Sequence, residues 1–202
     1  MRIWITLFAL LIGSIPVVAA AEEPDHQIHE ELRAVLRQVV GTINSGNYDN
    51  MLPVLDEKIA ATSVTQEIMS SRGDVSGYFR EWFGSGGYMK TLDMKMEADA
   101  LTDLSPDKTW GLVRGKALEH YEAKDGDQFD FKTRWTAVLV KNADNRWRLR
   151  AIHFGTNHLD NPVLSKVQRK LTQYGIAASI ASLIAGLCVG WFLRSRRRAS
   201  RA

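Results

Sequence analysis

Apolar residues recur at helical spacing near the start of the chain. Across residues 26–44 they follow one another in steps of one, three or four, which places them on one face of a helix. These residues are Ile28, Leu32, Val35, Leu36, Val39, Val40 and Ile43. The turn-forming segment 45–47, Ser-Gly-Asn, predicts the end of this helix.

Three shorter elements are predicted next. A short helix is expected over residues 48–55, although Pro53 lies inside it. β-Branched residues between 59 and 69 favour a short hairpin. A further helix begins at Gly73 and Asp74 and ends near Gly84. Its apolar face consists of Val75, Tyr78, Phe79, Trp82 and Phe83.

From residue 92 the apolar pattern changes to a period of two, which is typical of half-buried strands. Strands are predicted over 92–98, 110–121, 129–139 and 147–153, with turn-forming segments between them. Helices therefore come first and four long strands come last. This order predicts an α+β fold in which the helices pack on one face of an antiparallel meander sheet.

The first 21 residues are typical of a secretory signal peptide. A single positive charge, Arg2, precedes a short apolar stretch over 3–11, and small residues precede a cleavage point after Ala21. The alternative is an uncleaved N-terminal anchor. Pro16 and the run of alanines before Glu22 argue against an anchor, so we expect the domain to be exported.

A second apolar segment, residues 174–193, holds twenty residues without a charge. A helix of about 20 residues spans the roughly 30 Å hydrocarbon core of a bilayer. Tyr174 and Trp191 lie near its two ends, where aromatic rings favour the membrane interface. The segment therefore predicts a single-pass transmembrane helix.

The charges on the two sides of this segment predict its orientation. The tail 194–202 carries Arg194, Arg196, Arg197, Arg198 and Arg201, whereas the linker 162–173 carries Lys166, Arg169 and Lys170. The side richer in arginine and lysine usually stays in the cytoplasm. We therefore expect a cytoplasmic C-terminus and a domain outside the cytoplasm, in a bacterial periplasm, which agrees with the signal peptide.

Small residues recur every fourth position along the apolar segment, at Ala178, Ser182, Gly186 and Gly190. Such stripes allow two membrane helices to approach closely. They predict a homodimer packed through this face. The alternative is that glycine and alanine are simply common in membrane helices.

Composition excludes some classes of protein. The net charge of +3 comes mainly from the C-terminal tail. This excess of positive charge indicates a segment beside a membrane rather than a nucleic-acid-binding surface. The single cysteine, Cys188, excludes an intramolecular disulfide framework. The fold must therefore be stabilised by its core.

The order of elements resembles the nuclear transport factor 2-like superfamily, which includes SnoaL-like (polyketide cyclase-like) domains. The resemblance rests on SGNYDNMLPVL after the first helix, on the helix GDVSGYFREWF and on the final pair TRWTAVLVKNADNRWRLRAIHFG. It implies a cone-shaped, cystatin-like domain over 22–161. Members of the superfamily include isomerases, cyclases, dehydratases and hydrolases as well as non-catalytic binding domains, so fold alone does not give function.

The resemblance implies a pocket between the helices and the curved sheet. With Trp147 and Leu149 pointing inward, strict alternation along the last strand also places Ala151 and His153 inward and Ile152 outward. The expected pocket residues are Tyr78, Trp82, Phe131, Thr133, Trp135, Trp147, Leu149 and His153. This aromatic, mostly apolar pocket suits an apolar ligand.

His153 is the expected general base if the protein is an enzyme, because a histidine titrates near neutral pH. A core histidine satisfied by one hydrogen bond is the alternative, and Tyr78, Asp103 and His120 are weaker candidates. Isomerase-type members place acids and a tyrosine in the pocket. Here the first helix offers neither and Asp130 faces away, so the sequence predicts no pocket carboxylate and argues against an enzyme.

Three functions remain open. The first is a tethered binding or assembly module for an apolar small molecule or an envelope protein. The second is a tethered SnoaL-like enzyme that uses His153, and the third is a structural dimerising envelope protein. We interpret the polar segment with His153, His158 and Asp160 as a strand end passing into a linker rather than as a metal site, and we expect no cofactor.

Overall fold

The computed structural model describes residues 24–159 and 161–199. Its helical elements are α1 His26–Ser45, a 3-10 helix Tyr48–Val54, α2 Arg72–Phe83 and α3 Pro162–Ala199. The predicted signal peptide over 1–21, Asp160 and the last three residues of the basic tail lie outside the described residues.

The helix ends follow from local sequence, as predicted. α1 ends at Gly46, which has a φ of 73° and whose N–H donates to the carbonyl of Ile43 at 3.2 Å. A left-handed backbone at this position favours glycine. α2 begins after Ser71, whose Oγ accepts a hydrogen bond from the N–H of Asp74 at 3.1 Å.

Seven strands of the described chain form one sheet. They are β1 Leu55–Thr62, β2 Ile68–Met69, β3 Met89–Ala98, β4 Asp103–Leu104, β5 Trp110–Ala123, β6 Gln128–Lys141 and β7 Trp147–Thr156. The order across the sheet is β2-β1-β7-β6-β5-β3, and β4 pairs with β5. The antiparallel meander of β3, β5, β6 and β7 and the β1–β2 hairpin are confirmed. The parallel pairing of β1 with β7 was not predicted.

The core lies between α1, α2 and one face of the sheet. Buried residues of α1 recur at three and four positions, at Leu32, Val35, Val39 and Ile43, as the sequence predicted. Trp135 of β6 is buried against the sheet and its Nε1 donates to the carbonyl of Lys116 at 3.0 Å. A Cβ on the neighbouring Gly115 would clash with the Trp135 ring, so this close approach requires glycine.

A β-bulge changes the faces of β7. Leu149 pairs with Leu139 and Ala151 pairs with Val138, so Arg150 has no partner on β6. An extra residue of this kind interrupts the alternation of side chains. The prediction that Ala151 and His153 share the inner face with Leu149 is therefore wrong: Ile152 points toward the interior and His153 is exposed on the outer face.

α3 continues without a break from the domain into the apolar segment. Asn161 caps its start by accepting from the N–H of Leu164 at 3.0 Å. Lys166 forms an ion pair with Asp127 and lies 5.1 Å from the centre of the Phe129 ring. In the described part of the chain, Pro162–Arg194 is the one helix long and apolar enough to cross a membrane, and its most apolar window is not buried in the protein.

Candidate ligand-binding site

A buried carboxyl group lies on the inner face of β5. Glu119 faces the helices together with Ala117 and Tyr121, because side chains of a strand alternate between its two faces. Its side chain is almost completely enclosed, with an exposed fraction of 2%. Glu119 Oε2 accepts from the hydroxyl of Tyr121 at 2.6 Å, and Oε1 accepts from Thr133 Oγ1 at 2.5 Å.

Burial controls the charge of this group. Removal from water raises the pKa of Glu119, and the hydrogen bonds from Thr133 and Tyr121 oppose the rise only in part. The pKa of Tyr121 is also raised, first by burial and then by the adjacent Glu119. Among the residues that the structure describes, no cation pairs with Glu119, so no opposite charge offsets the cost of burying its ionised form.

Tyr78 faces the same space from α2. Burial raises the pKa of its hydroxyl, and the hydroxyls of Thr65 and Ser63 nearby oppose this rise. Ser63 and Thr65 are themselves 2.7 Å apart through their side-chain oxygens. The interior therefore holds two tyrosine hydroxyls and a carboxyl group, which can donate or accept hydrogen bonds.

These groups line a small inner cavity of about 80 Å³. Its polar wall comes from Ser63, Tyr78, Glu119 and Tyr121, and the remaining wall is mainly apolar. The apolar lining includes Val39, Ile43, Met51, Leu55, Ile59, Val75, Phe79, Leu149, Ile152 and Phe154.

Two larger cavities adjoin the inner cavity. The outer cavity, of about 490 Å³, shares residues such as Tyr78 and Tyr121 with it and is also lined by Trp82, Phe131 and Val163. The α1 cavity, of about 500 Å³, shares Val39, Leu149 and Ile152 with the inner cavity and is lined mainly by apolar residues of α1 and the sheet. Each of the larger cavities falls in the size range of ligand pockets, about 300–1,000 Å³.

Several predicted pocket residues lie where the sequence placed them. Tyr78, Trp82 and Phe131 line the outer cavity. Leu149 lines both the inner and the α1 cavity, and Trp135 lines the α1 cavity. Thr133 is buried and donates to Glu119, although it lines none of the three cavities itself. Trp82 also donates from Nε1 to Glu67 Oε1 at 3.0 Å.

Two more predicted pocket residues line none of the three cavities and do not contact Glu119. Trp147 points inward and is buried, but it lines none of these three cavities. His153 is exposed on the outer face, opposite Thr136 of β6, because of the bulge at Arg150. Neither residue is therefore in a position to contact a ligand in the interior.

The weaker candidates His120 and Asp103 also face away from the cavities. His120 Nδ1 lies 2.7 Å from Asp130 Oδ1 on the outer face of the sheet, and Asp103 is exposed on β4. No group of three or more His, Cys, Asp or Glu side chains able to hold a metal occurs among the described residues.

The expectation of a pocket without a carboxylate is wrong, because Glu119 was missed. The faces of residues 110–121 are hard to assign from hydropathy, since acidic Glu119 points inward whereas apolar Leu118 has an exposed fraction of 54%. The available signal was the period-two set Ala117, Glu119 and Tyr121, which is flanked by the charged residues Lys116 and Glu122.

No family model matches the chain, and no curated protein matches it. Solved structures resemble it. A ketosteroid isomerase-like protein from Erwinia carotovora atroseptica is 12% identical, with a TM-score of 0.54 over 63% of this chain and 95% of that protein. A nuclear transport factor 2-like superfamily protein from Salmonella enterica is 11% identical, with a TM-score of 0.53 over 64% of this chain and 91% of that protein.

A hexachlorocyclohexane dehydrochlorinase is similar at the same level. It is 7% identical, with a TM-score of 0.54 over 64% of this chain and 84% of that enzyme. Proteins of this shape thus include enzymes. At such low identity the likeness concerns the backbone and not the chemistry. The comparisons therefore show that the chain has a nuclear transport factor 2-like fold.

Proposed function

We propose that the chain is a membrane-tethered binding module whose interior holds an apolar small molecule beside Glu119. The observation that carries this proposal is a buried, hydrogen-bonded carboxyl group in the wall of the inner cavity, which two larger cavities with apolar walls adjoin. Ligand pockets generally combine apolar walls with a small number of fixed polar groups. A molecule with an apolar body and one polar group matches such walls.

The charge state of Glu119 suggests the nature of that polar group. Its two oxygens already accept hydrogen bonds from Tyr121 and Thr133. In the neutral form favoured by burial, the carboxyl group also carries one proton that it can donate. The ligand's polar group is therefore a hydrogen-bond acceptor, such as a carbonyl or ether oxygen.

The tether places this interior close to a bilayer. The length and composition of α3 support a single membrane crossing, and the excess of arginine in residues 194–202 supports a cytoplasmic C-terminus. The signal-like residues 1–21 support export of the domain. Alkaline phosphatase fused to the C-terminus tests the topology, and activity of this fusion would contradict it.

Native mass spectrometry of the full-length protein, released from detergent micelles, tests the proposed function. We expect a co-purifying small-molecule mass on the wild type. Glu119→Leu removes the hydrogen-bond donor and should weaken retention about tenfold, because a buried acceptor on the ligand loses its partner. His153→Ala is the matched control on the outer face and should leave retention unchanged. An empty protein that also fails to bind an apolar fluorescent dye would refute the proposal.

A second candidate is an enzyme in which Glu119 acts as the general acid or base. The observation that favours it is a buried carboxyl group with a raised pKa next to two tyrosines, an arrangement suited to proton transfer. The position of His153 removes that residue from this role. The mass of the bound compound, followed over time, separates the two functions. If the protein is an enzyme, the mass changes in the wild type but not in Glu119→Gln. If it is a binding module, the mass stays constant in both proteins.

Dimerisation through α3 is a third, compatible proposal. Ala178, Ser182, Gly186 and Gly190 are exposed on one face of the helix. Gly186→Leu combined with Gly190→Leu should reduce crosslinked dimers in membranes, because larger side chains keep the helices apart. The control is Ala177→Leu with Ala181→Leu on the other side of the helix. Equal loss of dimers in both variants would contradict dimerisation through this face of α3.

A further inference from the structure

The first turn of α3 forms part of the wall of the outer cavity. Val163 lines the cavity beside Phe131 of β6, and Asn161, which caps the helix, lies in the same wall. The ion pair between Lys166 and Asp127 fixes the next turn against the start of β6. The helix that begins at the cavity is therefore the same rigid element that continues into the apolar segment.

The distance from the cavity to the bilayer follows from helix geometry. Val163 and Tyr174 are separated by 11 helical residues, which corresponds to about 16 Å at 1.5 Å per residue. The polar head-group layer on each side of a bilayer is roughly 5–8 Å thick. The outer cavity therefore lies about 10 Å above the head groups, within reach of a lipid acyl chain.

The helix between the cavity and the bilayer carries only positive charges. Residues 162–173 include Lys166, Arg169 and Lys170 and no acidic residue. Their spacing of three and four places them on one helical face, the face that begins with Val163 at the cavity. Lys166 is paired with Asp127, whereas Arg169 and Lys170 have no acidic partner among residues 24–159 and 161–199. These two cations lie where head groups would meet the helix.

From these observations we propose that the outer cavity takes the acyl chain of an anionic lipid drawn from the bilayer that α3 crosses. The chain packs among the aromatic side chains of the cavity, such as Trp82 and Phe131, and the head group stays outside near Arg169 and Lys170. The size of the cavity, about 490 Å³, suits one such chain. This inference rests on the proposed function of an interior that holds an apolar ligand, and it assigns the outer cavity, whose wall does not include Glu119, to a membrane lipid.

Photocrosslinking of the full-length protein in vesicles tests the inference. The vesicles contain phosphatidylcholine with a small fraction of phosphatidylglycerol that carries a diazirine at the end of one acyl chain. After irradiation, mass spectrometry locates the labelled residues. We expect label on the outer cavity, at Tyr78, Trp82 and Phe131, in addition to the apolar part of α3. Label confined to residues 174–193 would overturn the inference.

Two valines of α3 provide a matched pair of variants. Val163 and Val167 have the same exposed fraction, 48%, but only Val163 lines the outer cavity. Val163→Trp fills the cavity mouth and should reduce cavity labelling about tenfold, whereas Val167→Trp should leave it within about twofold. Equal labelling of the two variants would show that the lipid does not enter beside Val163.

The head group is tested separately. Arg169→Gln combined with Lys170→Gln should reduce labelling by phosphatidylglycerol several-fold, and a phosphatidylcholine probe with the same diazirine should label the wild type only weakly. Equal labelling by the two lipids would overturn the assignment of an anionic head group.

Failure of the lipid assignment is distinguishable from failure of the proposed function. Binding of the apolar dye N-phenyl-1-naphthylamine is measured on the same protein. Dye binding that depends on the interior, without lipid labelling of the cavity, would overturn the lipid assignment and leave the proposed function standing. Absence of both would overturn both proposals.

Discussion

Glu119 and His120 are neighbours on β5, yet they lie in opposite environments. Glu119 is enclosed, accepts hydrogen bonds from Tyr121 and Thr133 and has a raised pKa. His120 lies on the outer face and contacts the exposed Asp130 across the strands. The difference teaches that the face of a strand decides whether an ionisable side chain is buried and has a shifted pKa. The residue type and its position in the sequence do not decide this.

The largest difference is expected from removing each side chain in turn. Glu119→Ala leaves the hydroxyls of Tyr121 and Thr133 without an acceptor and opens a void, which should lower the free energy of unfolding by about 2–4 kcal/mol. His120→Ala removes only a contact exposed to water and should have little effect. Urea unfolding of the detergent-solubilised protein, followed by near-UV circular dichroism, measures both. Similar losses would contradict the contrast between the two faces.

The pH dependence of stability should also report on Glu119. Burial raises its pKa above the ordinary value of 4.5, so the folded protein keeps this proton after the unfolded chain has lost it. The stability contributed by this group is fully present below pH 4.5 and is lost as the pH rises through the raised pKa.

The variant Glu119→Gln cannot titrate, and it should therefore lose less stability as the pH rises. Urea midpoints between about pH 4 and about pH 8 for the wild type and the variant make the comparison. His120→Gln is the control on the outer face and should keep the slope that Glu119 causes. Parallel curves for the wild type and Glu119→Gln would show that Glu119 does not titrate in this range.

A second pair of neighbours extends the comparison to β7. Ile152 lines the inner and α1 cavities, whereas His153 is exposed beyond the bulge. Ile152→Ala removes apolar wall and should weaken binding of an apolar dye about tenfold. His153→Ala should leave the dissociation constant unchanged in the same fluorescence titration. The reverse order of effects would place His153 in the interior and refute the assigned faces.

The smallest effect is expected from a matched pair of tyrosines. Tyr121→Phe removes a donor to buried Glu119 and should cost about 1 kcal/mol of the free energy of unfolding. Tyr88, with an exposed fraction of 45%, donates to Asp125 at 3.1 Å, and Tyr88→Phe should produce no measurable change. Thermal unfolding of the two variants under one condition compares them. An equal shift in melting temperature would mean that burial does not determine how much these hydrogen bonds contribute to stability.

Periodicity in the sequence was sufficient to predict most of the fold. The apolar stripe of α1, Gly46 at its end and the alternating pattern of β6 each depend on neighbours within a few residues. The same local signals predicted inward positions for Trp135 and Thr133 on β6 and a cavity-facing Tyr78 on α2. The β1–β7 pairing depends on residues about ninety positions apart, for which the sequence carries no local signal.

The candidate site was predicted less well, for two physical reasons. The bulge at Arg150 shifts the register with β6 by one residue, and a shift of one residue reverses every face that follows it. For this reason His153 lies outside. On β5, acidic Glu119 lies inside and apolar Leu118 lies outside, the opposite of the pattern that hydropathy predicts.

The sequence by itself determined the secondary structure, the apolar length of α3 and the aromatic character of the interior, because each is a property of nearby residues along the chain. Only the tertiary structure decided that Glu119 is buried and that Tyr121 and Thr133 donate hydrogen bonds to its carboxyl group. It also decided that His153 lies on the outer face. A buried carboxyl group is tolerated when partners on other parts of the sheet meet its hydrogen bonds. Tyr121 lies two residues further along β5, but Thr133 reaches Glu119 only when β5 and β6 pair in this register.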